Sequence, residues 1–209
     1  MLEYFKLVTI GDGAVGKTRY FILLINCNKS YKQLLSSCWI ALLEGDFPVE
    51  YVPTVLDNTE TLIISNDLVA GTGFWDTGGE EGYARIRTLS YPNTDLFVLM
   101  FSVVNKPSFT NVKDRWLVEV RHHCPKTPIL LVGTKSDLRG KQGFEWEVSR
   151  EQVDDIVSEL NLAGYVECSA KDGTGLRRVI DEAIRIVTEA AITPYINGGK
   201  KKKKDCSIM

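Results

Sequence analysis

Long hydrophobic runs are missing from this 209-residue chain. Stretches such as Tyr20–Ile25 fall far short of the ~20 apolar residues that a bilayer-spanning helix needs, which excludes a helical membrane span. Histidine is scarce: only His122 and His123 occur, and no carboxylate or cysteine cluster flanks them. They read as the surface of a helix end rather than a metal or acid-base centre. The five cysteines (Cys27, Cys38, Cys124, Cys168, Cys206) are scattered, odd in number and without metal-ligand spacing. With no secretory leader read at the start, reduced thiols are expected. A strong charge imbalance is also lacking: the net charge is −2, which argues against a nucleic-acid partner. The exception is local, an unbroken run of lysines from Lys200 to Lys204.

What is present suits one α/β domain followed by a short tail. Apolar bursts alternate with helix-period segments, the pattern of a parallel sheet with crossover helices. Expected strands are Phe5–Ile10, Thr61–Ile64, Gly73–Trp75, Leu96–Phe101, Ile129–Val132 and Tyr165–Glu167. Leu96–Phe101 and Ile129–Val132 are continuously apolar, as strands covered on both faces should be. Ser108, with Phe109, Val112, Trp116 and Val120 behind it, predicts an amphipathic helix, and Leu176–Val187 predicts another. The domain is read as residues 1–193. After Thr193-Pro194 the composition shifts to a flexible tail, residues 194–209.

Gly11-Asp12-Gly13-Ala14-Val15-Gly16-Lys17-Thr18 matches G-x-x-x-x-G-K-S/T in full, between a strand and a helix. In such a loop the backbone N–H groups cradle phosphates, Lys17 reaches the terminal phosphates and the Thr18 hydroxyl can ligate Mg²⁺. Further along, Asp76-Thr77-Gly78-Gly79 matches D-x-x-G: the Asp can hold Mg²⁺ through water, and the Gly79 N–H can sense a terminal phosphate. Thr134-Lys135-Ser136-Asp137 follows a strand directly and matches a guanine-specificity pattern. There the Asp137 carboxylate accepts two N–H donors from guanine while the lysine stem covers the base. Ser169-Ala170-Lys171 follows the last strand and offers the Ala170 N–H to guanine O6. All four motifs fall beyond the carboxyl ends of strands, where open α/β sheets bind ligands.

With these motifs the chain resembles the small GTPases, and specifically the Rho/Rac branch, over almost its whole length. Tyr51–Asn58, Leu89–Asp95 and Val120–Pro125 resemble that branch rather than Ras or Rab. The resemblance implies a six-stranded, mostly parallel P-loop GTPase sheet with helices on both faces, binding GTP or GDP with Mg²⁺. It implies Thr54 as the switch I ligand of Mg²⁺ and sensor of the γ-phosphate, alongside Thr18 and Asp76 at the metal. Tyr51 would close over the phosphates, Phe47 would lie against the guanine, and Val55–Asn58 would be effector surface. Gly13 keeps the small residue that leaves room for an arginine finger. Exchange factors, GTPase-activating proteins, a GDP-dissociation inhibitor and effectors are the implied partners. Trp75 and Trp116 read as core or interface residues.

Cys206-Ser207-Ile208-Met209 is a C-a-a-X box, its final Met of the farnesyl type. One prenyl chain anchors only marginally, and Lys200–Lys204 supplies the second signal toward an anionic membrane. A cytosolic pool and the cytoplasmic face of the plasma membrane are the expected locations.

Three features depart from the resemblance. Glu80 stands where the family carries a catalytic glutamine, so weakened hydrolysis is expected: an ionised Glu80 only accepts hydrogen bonds and brings negative charge beside the phosphate. Gly78 replaces an alanine, from which a more flexible switch is expected. Thirty-five residues (19–53) separate Thr18 from Thr54, far more than the family's usual span. Tyr20–Ile25 and Cys38–Leu43 both look like the buried face of the helix after the phosphate loop. Removing the 18 residues Arg19–Ser36 restores the family register. The segment is either a genuine insertion or an in-frame unspliced intron.

Overall fold

The computed structural model describes residues 4–20, 54–65 and 68–196. Phe47, Tyr51, most of the segment Arg19–Ser36, the Lys200–Lys204 run and Cys206 lie outside these residues.

Six strands form one sheet: β1 (Tyr4–Ile10), β2 (Leu56–Ser65), β3 (Leu68–Thr77), β4 (Leu96–Ser102), β5 (Ile129–Thr134) and β6 (Gly164–Glu167). Their spatial order is β2-β3-β1-β4-β5-β6. Only β2 runs antiparallel, along β3; every other pairing is parallel. The hairpin strands are much longer than their apolar content suggests. β2 begins at Leu56 rather than Thr61, and β3 spans ten residues around the expected Gly73–Trp75. An edge hairpin carries polar residues freely, because one ladder of hydrogen bonds aligns it whatever its side chains.

The central strands are buried throughout, and their side chains alternate between two cores. Leu96, Val98 and Met100 face one core with Val179, Ala183 and Val187 of helix α5 (Leu176–Ile196). Phe97, Leu99 and Phe101 face the other with Val112, Trp116 and Val120. At ~25 cal/mol per Å² of apolar surface, this two-sided burial is the main force holding helices to both faces.

The amphipathic helix expected after Ser108 forms with an unexpected winding. α2 (Lys106–Asn111) is capped by Asn105, whose side chain accepts from the Ser108 N–H. It continues through a π-wound segment, Val112–Leu117, into α3 (Val118–His123). Short helix α1 (Ala84–Thr88) precedes β4. α4 (Arg150–Glu159), which periodicity alone did not mark, starts from a capping box of Ser149 and Gln152. α5 runs to Ile196, beyond the Thr193-Pro194 composition shift.

Residues 17–20 are helical and Tyr20 is buried in the core with Val15 and Cys168. Of the two stretches competing for the helix after the phosphate loop, the earlier one therefore enters the core at its first turn. Cys124 is buried, its Sγ 3.6 Å from the Tyr91 carbonyl. Cys168 is free, and burial pushes its thiol up to about 12.

Candidate nucleotide-binding site

The phosphate loop leaves β1 and turns sharply: Gly11, Ala14 and Gly16 all have positive φ (139°, 57° and 104°). Such angles suit glycine, and Ala14 is the one L-residue the turn strains. Lys17 is buried, its Nζ donating to the carbonyls of Gly11 and Asp12, each at 2.7 Å. Burial lowers its pKa to about 8, against the opposing pull of Asp76 and Asp12. An ammonium desolvated this far gains strongly from an anionic ligand.

Thr18 and Thr54, both expected at the metal, lie with their hydroxyl oxygens 2.5 Å apart. Behind them Asp76 is buried at the end of β3, its Oδ1 accepting from the Thr9 hydroxyl at 3.2 Å. Burial raises its pKa, while Thr18, Lys17 and Thr9 favour the charged form. Asp76 Oδ2 is buried with no hydrogen-bond partner. Two hydroxyls and a carboxylate oxygen with spare lone pairs fit a hard, oxygen-seeking cation. Adjacent ligands of an octahedral Mg²⁺ lie ~3 Å apart, so a small opening of the threonine pair would admit the ion.

The loop after β3 packs on the phosphate loop. A Cβ at Gly79 would stand 2.4 Å from the Gly11 carbonyl oxygen and 2.5 Å from the Gly13 nitrogen. Glycine is required there by close approach. Gly78 does not loosen this loop as expected: it is buried, its N–H donates to Val55 at 3.1 Å, and a Cβ would lie 2.5 Å from the Thr54 carbonyl oxygen. Glu80 is exposed, and its carbonyl accepts from the buried Arg87 at 3.2 Å.

The two guanine-reading motifs are fastened together and to the phosphate loop. The Ser169 hydroxyl donates to Asp137 Oδ1 at 2.7 Å and accepts from the N–H groups of Lys171 and Asp172. Ala170 is held inside that turn, on the loop after β6 that Ser169 ties to the Asp137 loop after β5. Thr134 Oγ1 lies 2.6 Å from the Val15 carbonyl and 2.9 Å from that of Phe101. Lys135 takes a left-handed conformation (φ 60°) and is half-buried, which lowers its pKa against the pull of Asp137.

Sequence reasoning missed the support behind Asp12. Its Oδ2 accepts from Asn111 Nδ2 and its Oδ1 from Trp116 Nε1, both at 2.7 Å. The signal was Asp12 itself, a carboxylate in a loop built for phosphates, which needs donors supplied from elsewhere.

Thus the residues expected to cradle phosphates, hold a cation and read guanine converge along one edge of the sheet, at the carboxyl ends of β1, β3, β5 and β6. The family model described as Ras family matches residues 6–189, nearly the whole described chain. The protein belongs to the Ras family, within the small GTPase superfamily of guanine-nucleotide switches.

Proposed function

We propose that this chain is a Rho/Rac-like member of the family, a GTP/GDP switch in membrane-proximal signalling to the cytoskeleton or vesicle traffic, with hydrolysis weakened by Glu80. The observation that carries the nucleotide reading is the Ser169–Asp137 bond together with the Thr134–Val15 contact, which join guanine-reading and phosphate-reading elements into one frame. Members of the family generally hydrolyse GTP and engage exchange factors, GTPase-activating proteins and effectors. For this chain the proposed partners are these and a GDP-dissociation inhibitor.

Thr18 and Thr54 would hold Mg²⁺ with Asp76 behind them, and the ion when bound neutralises charge shared between the β- and γ-phosphates. Lys17 contributes a second positive charge, released from the Gly11 and Asp12 carbonyls toward the phosphates. The Gly79 N–H lies on the loop that meets Gly13, where a γ-phosphate would be sensed. Glu80 cannot donate toward developing charge as glutamine does, so the attacking water is poorly oriented.

Cys206 would carry the prenyl group, with Lys200–Lys204 drawing the tail to the anionic cytoplasmic face of the plasma membrane and a pool remaining in the cytosol. A second reading is favoured by Glu80 alone: a GTP-binding scaffold with negligible hydrolysis that recruits effectors constitutively.

The test is chromatographic identification of the nucleotide co-purifying with the full chain, followed by single-turnover GTP hydrolysis. Co-purified GDP with slow turnover supports the switch; co-purified GTP with no turnover supports the scaffold; adenine nucleotide overturns both.

A further inference from the structure

The helix of Lys106–His123 carries a ring that touches both halves of the phosphate machinery. Trp116 is fully buried, and its Nε1 donates to Asp12 at 2.7 Å. Its indole is clasped between two guanidinium groups, that of Arg87 at 4.7 Å and that of Arg115 at 4.6 Å from the ring. Both arginines then reach the loop after β3. Arg87 donates to the carbonyls of Gly78 at 2.7 Å and Glu80 at 3.2 Å, and Arg115 donates to that of Gly79 at 3.2 Å.

The π winding makes this arrangement possible. Residues five apart on an α-helix diverge by about 140° around the axis. In a π turn, whose bond links residues five apart, they return to nearly one side. Asn111 and Trp116, five apart across the start of the π segment, both reach the Asp12 carboxylate as a result. A carboxylate fixed at both oxygens cannot swing toward the phosphates, which it would repel.

We propose that Trp116 is the positioning residue that couples the phosphate loop to the Gly78–Glu80 loop, so that the two loops shift as one unit between nucleotide states. Trp116 touches no phosphate; it acts through Asp12 on one side and through Arg87 and Arg115 on the other. The γ-phosphate is the group that both loops must meet, so the coupling favours GTP over GDP. This nucleotide preference rests on the switch reading above, whereas the mechanical coupling does not.

Two variants of the full chain test it. Trp116→Phe keeps a ring between the arginines and removes only the N–H donor. Arg115→Ala removes a partly exposed side chain that reaches the Gly79 carbonyl, and leaves the buried ring in place. Backbone amide exchange, read by mass spectrometry, should rise about tenfold in both Asp12–Gly13 and Gly78–Glu80 for either variant, the scale of losing one hydrogen bond to a charged group. Acceleration confined to the loop each variant touches would overturn the coupling. The same proteins should lose about tenfold in affinity for a non-hydrolysable GTP analogue while binding GDP within about twofold of wild type. An equal loss for both nucleotides would mark Trp116 as merely structural. If wild type bound no guanine nucleotide, the switch reading would fall, and amide exchange would still decide the coupling.

Discussion

The hydroxyl of Ser169 donates to the Asp137 carboxylate at 2.7 Å and so fixes, from a loop 32 residues away, the group proposed to read guanine. The same oxygen accepts from two N–H groups of its own turn, which orients its proton toward Asp137. Ser169→Ala should leave the fold intact and weaken GDP binding about tenfold, the cost of freeing a carboxylate that must be held in place. Fluorescent-GDP dissociation rates check this; an unchanged rate would show that Asp137 needs no such support.

Lys17 gives the site a pH signature. Its pKa is about 8 in the free protein because burial disfavours the ammonium, and a bound polyphosphate must raise it. Below pH 8 the lysine is charged in both states and affinity is flat. Above pH 8 binding takes up a proton, so affinity should weaken by up to about tenfold per pH unit until the bound-state value is reached. Titration calorimetry in buffers of different ionisation enthalpy would detect the proton, and Lys17→Met would abolish it.

Arg87 is fully buried and grips Glu119 at 2.9 and 2.7 Å, while the Tyr91 hydroxyl donates to the same carboxylate. Burial alone would raise Glu119, but the hydrogen bonds from Arg87 and Tyr91 prevail and hold its pKa low. The resulting stability is present above the ordinary glutamate value and is lost as pH falls through the lower folded value. Arg87→Ala should cost about 3 kcal/mol in urea unfolding, because it empties a fully buried site and strands a half-buried carboxylate. The loss should shrink toward acid pH as Glu119 protonates.

Glu80→Gln should raise the single-turnover hydrolysis rate about 100-fold, the lower end of what one donor aimed at developing charge contributes. GDP affinity should not change, since Glu80 is exposed and its backbone contact to Arg87 is kept. Equal rates for the wild type and the Glu80→Gln variant in the presence of a GTPase-activating protein would remove weakened catalysis from the functional reading.

Removing Arg19–Ser36 places Cys38 where Tyr20 now enters the core. Changing the length of a connection by this much costs little thermodynamically, so the shortened chain should bind GDP within about tenfold of the full chain. Loss of the ring at Tyr20 should appear instead as lower thermal stability. Sequencing the mature transcript separates insertion from retained intron: message that always contains these codons excludes the intron.

The four nucleotide motifs were legible because each is a short pattern at a strand end, where local spacing alone dictates which backbone and side-chain groups face a ligand. The continuous apolar runs of β4 and β5 likewise declared a sheet covered on both sides. The extent of β2 and β3 was hidden, since a hairpin pairs its polar edge residues through backbone ladders that leave no trace in hydropathy. The regular spacing of Phe109, Val112, Trp116 and Val120 concealed the π segment, because the same apolar face serves either winding.

By itself, then, the sequence determined the sheet and the family, both from patterns within a few residues of each motif. Only the tertiary structure decided how those motifs are held. Trp116 and Asp12 are 104 residues apart, yet share a 2.7 Å hydrogen bond. Gly78, expected to loosen its loop, is pinned against Thr54 and Val55 from a distant segment. Contacts of that kind depend on where whole elements pack, and packing is set by the two cores acting together rather than by any local pattern.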